Sequence, residues 1–90
     1  MSQAIVDPNE LRRFATMLKK FNAELEGGLN SLSAQLHGLS TTWRDQEHKK
    51  FVDDFEQHIK AIARTIEATN EHVPFLIRKA ERIEDYLSQR

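Results

Sequence analysis

Leucine returns at every seventh residue from Leu11 through Leu18, Leu25 and Leu32 to Leu39. Seven residues make close to two turns of α-helix, so side chains at this spacing share one face and favour helix-on-helix packing over a sheet. With the leucines placed at heptad position d, position a holds Ala15, Asn22, Leu29, Leu36 and Trp43. The adjoining g column adds Phe14 and Phe21, then Gly28. β-branched residues are scarce in this half, and no strand-like alternation competes with the stripe. A helix start stands just upstream: Asp7 as N-cap, Pro8 in the first helical position and Glu10 three residues after the cap.

Gly27-Gly28 interrupts the run of good helix formers, at roughly 1 kcal/mol per glycine in a helix interior. The leucine phase passes through both without a slip, which predicts one continuous helix, with a bare spot at Gly28 where another helix can come close; a shorter helix ending there is the alternative. The convincing connection is Gly38 to Asp45, where Gly38 is a helix stop and Thr42 or Asp45 an N-cap for the second helix. Beyond it the heptad restarts in a new phase. Its a column is Val52, Ile59, Ile66, Val73, Ala80 and Leu87, and its d column Phe55, Ile62, Thr69, Leu76 and Ile83. Pro74 sits inside this pattern without changing its phase, which predicts a kink near Glu71 to Val73; a separate third helix from Pro74 is the alternative. Asn22 and Thr69 are the polar exceptions in the seams, of the kind that fixes register.

The expected fold is all-α: one helical-hairpin domain over residues 1–90, with helix 1 over about 8–39, a turn over about 40–45 and helix 2 over about 46–88. Such helices are about 50 and 65 Å long. A hairpin this elongated buries less surface than a compact fold of its mass, and its apolar face is wider than one partner helix covers. Dimerisation into a four-helix bundle is the expected remedy.

Signals for chemistry are thin. The chain has no cysteine, so disulfides, thiolate metal sites and a cysteine nucleophile are excluded. Four histidines remain, with Asp45–His48 and Asp54–His58 at helical spacing, as are Glu81 and Glu84. No Glu-x-x-His unit occurs and the seams carry no carboxylates, so neither a di-metal bundle nor any other metal site is expected. No nucleophile elbow or phosphate loop is present, and the chain is read as a non-enzyme with no cofactor. Basic pairs such as Lys19-Lys20 and Arg78-Lys79 are interleaved with acids, and the net charge is −1. Neither nucleic-acid binding nor membrane insertion is expected of such a chain. Met1 to Val6 lacks the basic start and apolar stretch of a secretory signal.

A Trp between two heptad helices, followed by Phe51 and Phe55 at eight and twelve residues, resembles the WXG100 family of small helical hairpins typified by type VII secretion substrates. The family's turn reads Trp-x-Gly; here it is Trp43-Arg44-Asp45, and Asp tolerates turn conformations and caps helices. The family's Tyr-x-x-x-Asp/Glu export pattern is not met, since Arg90 stands four residues after Tyr86. The resemblance implies a protein–protein interaction module and export without a cleavable signal. Its expected partner is a second copy or a similar small hairpin, together with secretion machinery. A cytoplasmic structural or adaptor coiled coil is the alternative. Under either reading Trp43 and Asp45 are the candidate turn residues, Trp43 plugging the hairpin end or contributing to recognition. Leu25, Leu29, Leu32, Leu36, Phe55, Ile59, Ile62 and Ile66 are the candidate hairpin or dimer seam.

Overall fold

A computed structural model describes residues 6–89. Helix α1 runs Pro8–Gly38, a single 3₁₀ turn follows at Leu39–Thr41, and the chain returns as α2, Gln46–Asn70, and α3, His72–Ser88. No strand occurs among the described residues. The C-terminal half of α1 packs on α2 and its N-terminal half on α3, giving an antiparallel helical hairpin 70 × 21 × 15 Å in extent.

Each boundary has a local cause. The Asp7 carboxylate accepts from the Asn9 amide at 2.9 Å, and Pro8 enters the first turn, where an N–H would have no helical partner. Gly27 and Gly28 lie within α1, and a Cβ added at either would meet nothing within 4 Å. Within the hairpin, therefore, no helix makes a close approach at Gly28. Gly38 is the last α-helical residue but keeps right-handed backbone (φ −64°, ψ −27°), so α1 does not end through a left-handed glycine. It tightens into the 3₁₀ turn instead. The Ser40 hydroxyl donates to the His37 carbonyl at 2.7 Å and the Thr41 hydroxyl to that of Gly38 at 2.8 Å, satisfying end carbonyls.

The second half is interrupted at Glu71, three residues before Pro74. Proline has no amide to donate back to the Asn70 carbonyl, so the ladder breaks one turn upstream and Pro74 becomes part of a fresh first turn. Glu71 itself stays right-handed (φ −67°, ψ −19°), so α3 follows α2 with no intervening loop.

The core is a narrow file. Ala15, Asn22, Leu29 and Leu36, all at position a of α1, are buried, as are Ile66 of α2 and Ala80 of α3. Leu11, Leu18 and Leu25 at position d are half-buried, and Leu32 and Leu39 are exposed. One partner helix covers one column of a heptad and leaves the next half open. Asn22 is 3% exposed, and its amide donates to Thr69 Oγ1 at 3.0 Å and to Asn70 Oδ1 at 2.9 Å. The two polar seam positions thus face each other across the hairpin.

At the open end, Arg12 donates through Nε and Nη2 to the two oxygens of Glu84, at 3.0 and 2.8 Å. That hydrogen bond, and secondarily the guanidinium charge, hold the Glu84 carboxyl below its ordinary range, against the opposing effect of partial desolvation. A carboxyl lowered on folding stabilises the hairpin above its unfolded value and loses that contribution as pH falls through the folded one. Glu84→Gln should therefore melt below wild type at neutral pH, and the gap should close as the buffer is taken below the ordinary value of 4.5. A gap in melting temperature that stayed constant from neutral pH to pH 3 would rule this out.

Candidate functional site

Two surfaces stand out: the tip of the hairpin and one long apolar face. At the tip, Asp45 sits in extended backbone (φ −86°, ψ 179°) as N-cap of α2. Its Oδ1 accepts from the His48 amide at 3.2 Å and from the indole N–H of Trp43 at 2.8 Å. One carboxylate oxygen thus closes the first turn of α2 and anchors the Trp. The half-buried indole meets the His48 ring edge-on at 5.2 Å between centroids, and Phe51 at 5.5 Å. Phe51 in turn stacks on Phe55 at 5.5 Å, so the aromatic row leads from the turn onto α2.

Asp45→Ala should cost about 1–2 kcal/mol, since both the cap and the indole anchor go. Asp45→Asn, which keeps an acceptor at the same place, should lose clearly less; urea titrations followed by circular dichroism compare the two. His48 carries a second, opposite expectation. Its Nε2 is covered and has no hydrogen-bond partner among the described residues, so part of its desolvation is uncompensated. His48→Phe keeps the ring against Trp43 and removes that atom, and should raise stability by about 1 kcal/mol. A lower denaturation midpoint for this variant would show that the imidazole nitrogen is satisfied in solution.

The long face carries the g and d columns of both halves. Leu32, Gln35, Leu36, Leu39, Phe51 and Phe55 line a groove of about 220 Å³ beside the tip. Further along α1, Phe14 and Phe21 project at 57% and 60% exposure, with Met17 between them. The opposite face holds the e columns, where the Arg12–Glu84 pair lies.

The seam candidates divide accordingly. Leu29, Leu36 and Ile66 are buried inside the hairpin; Leu25, Phe55 and Ile59 are half-buried; Leu32 and Ile62 are exposed. Trp43 and Asp45 meet at the tip. Leu32, Leu36 and Phe55 share the groove beside it, which neither tip residue lines, and Leu29, Ile59 and Ile66 line a second groove. Sequence reasoning passed over His48 as a neighbour of Trp43. The five-residue spacing crosses the turn, so helical periodicity gives no sign of it. No group of three or more His, Asp or Glu is placed to hold a metal among the described residues. No helix among them is long and apolar enough to cross a membrane.

No curated protein and no solved structure matches the chain. The family model described as proteins of 100 residues with WXG does match, over residues 3–86. That span takes in both arms of the hairpin and the Trp43-Arg44-Asp45 turn between them, and the chain accordingly belongs to the WXG100 family.

Proposed function

We propose that this chain is a non-catalytic interaction module of type VII secretion, a substrate or a small adaptor, that works as a four-helix bundle of two hairpins. Family membership associates it with that system. The observation that carries the assembly is the uncovered apolar face, with Phe14, Phe21 and Met17 all more than half exposed. Exposed apolar residues scattered singly are ordinary, but a contiguous face of them marks a partner site. Surface area agrees. The chain exposes 7209 Å², about 1,800 Å² more than a compact protein of its mass, whereas a standard interface needs about 800 Å² from each partner.

In this reading Leu29, Leu36, Ile59 and Ile66 hold the hairpin together. Leu25, Leu32, Phe55 and Ile62 reach from it towards the second hairpin. Trp43 and Asp45 form a stiff tip that is offered to the secretion machinery. Sedimentation equilibrium tests the assembly, with a dimer expected at micromolar concentration and a well-folded monomer, on its own and with every small hairpin protein encoded nearby, overturning it. Fractionation of the source cells tests export. Protein in the medium that disappears when the secretion ATPase is disabled is the expected result; protein confined to the cytoplasm overturns export. The residue that favours the second reading, a cytoplasmic adaptor, is Arg90, which stands where the Tyr-x-x-x-Asp/Glu pattern has an acid.

A further inference from the structure

The side of the hairpin away from the exposed phenylalanines is not smooth. Between α1 and α2 runs a groove of about 220 Å³ floored by Leu29, Ile59 and Ile66. A second, of about 360 Å³, continues it past the α2–α3 break, between Ala23 of α1 and Val73 and Pro74 of α3. Glu26 and Asn70 line both, so the two join into one channel. From Lys19 to Ser33 it is about 21 Å long by helical rise, the span of about six residues of extended chain. We propose that this channel binds an extended segment of a partner protein that carries a Lys or Arg between apolar residues.

The charge of the occupant follows from the rim. Glu26 on α1 and Glu67 on α2 put a carboxylate on each helix beside the same floor. Arg64 is one turn from Glu67 and Lys19 two turns from Glu26, yet neither glutamate is ion-paired among the described residues. A guanidinium or ammonium brought over the floor therefore finds acceptors on both helices that no cation of the hairpin has taken. Its aliphatic stem would lie on Leu29, Ile59 and Ile66, apolar surface that gains by losing water. Lys19 closes the end beside Pro74, which keeps the site for the cation near the middle of the channel.

The amides select a peptide over a small amine. A side-chain amide matches a peptide group, donating to its carbonyl and accepting from its N–H. Asn30 on α1 and Asn70 on α2 both line the channel. Asn70 spends Oδ1 on the Asn22 amide and keeps its own N–H groups for an incoming carbonyl. This goes beyond the pairing of hairpins. In the four-helix bundle the second hairpin covers the opposite face, so the channel stays open to a further partner.

The probe is acetyl-Ala-Leu-Arg-Leu-Ala-amide, titrated into the ¹⁵N-labelled full chain. It should move the amide resonances of Asn30, Ala63, Glu67 and Asn70, with binding that weakens as salt is raised. The same peptide with Glu in place of Arg should bind at least tenfold more weakly. Glu67→Gln should lose at least fivefold in affinity for the Arg peptide. Glu24→Gln, which removes the same charge outside the channel, should lose less than twofold, and both variants should sediment as wild type does. Equal binding of the two peptides, an equal loss in the two variants, or resonance shifts confined to the phenylalanine side overturns the proposal. A chain that dimerises and ignores the Arg peptide also overturns it, and leaves the bundle reading standing. A chain that binds the peptide but pairs with no hairpin loses the bundle and keeps the channel.

Discussion

Ile66→Ala should unfold much of the population at room temperature, or lower the melting point far enough to be seen without denaturant. Ile66 is 5% exposed and is the one buried residue of α2. Truncating a buried isoleucine to alanine costs about 2–5 kcal/mol through lost transfer free energy and the cavity left behind. The hairpin has little to set against this, because its core is a single file with few neighbours able to collapse into the gap, and the chain is only a little longer than the roughly 70–80 residues below which a core rarely supplies more than about 3–5 kcal/mol. Ile62→Ala, one helical turn earlier, removes the same atoms from a side chain that is 39% exposed on the apolar face. Its effect should fall on association: a melting point near wild type at high protein concentration, with a steeper dependence on dilution. Thermal melts of both variants at two concentrations differing a hundredfold separate the roles. Equal losses for the two, independent of concentration, would mean that the two residues share one interface.

Asn22 carries the second large expectation, and its sign depends on the replacement. Asn22→Ala removes two buried hydrogen bonds and leaves a gap in the seam, and should cost about 2 kcal/mol. The partners are not stranded by the change, which limits the loss: Thr69 Oγ1 still donates to the Thr65 carbonyl at 2.9 Å, and Asn70 is exposed to water. Asn22→Leu fills the space with an apolar side chain of similar length and should be neutral or stabilising, as replacing a buried polar group by a hydrophobic one often is. It also removes the buried polar contact that disfavours a stagger one heptad away. Asn22→Leu should therefore melt at or above wild type while its amide NMR spectrum shows doubled or broadened peaks near the seam. A single sharp set of peaks would assign register to the turn and the Arg12–Glu84 clasp instead.

The helices were readable from the chain because their information is local. The seven-residue spacing of Leu11 to Leu39, the Asp7-Pro8 start and the Pro74 break each act within a turn or two of themselves. The tip was half readable: Asp45 caps α2 through chemistry any helix start would show, but its bond to the Trp43 indole depends on the path of the turn. Cross-helix partners were not readable at all. That Asn22 meets Thr69, or that Arg12 meets Glu84, comes from the length of the connection and the stagger it imposes, which no periodicity within one helix encodes. Nor does a heptad say which of its two apolar columns a single partner will bury. Position a of α1 took the inside, and position d was left half open towards the face that carries the exposed phenylalanines.

The hairpin topology also orders events in time. At the turn, Trp43 touches residues five and eight positions away; at the open end, Arg12 waits for a glutamate 72 residues further along. The entropy of closing a loop grows with its length, so contacts near the turn form at least cost and each one shortens the loop for the next. Folding should run as a zipper from the aromatic cluster outward. Destabilising changes at Trp43 or Phe51 would then slow refolding, while those at Ala80 or Glu84 would mainly hasten unfolding. On the ribosome the same geometry has a consequence: α1 is complete long before α3 exists, and Ala15, which the folded hairpin buries, stays open to water until α3 emerges.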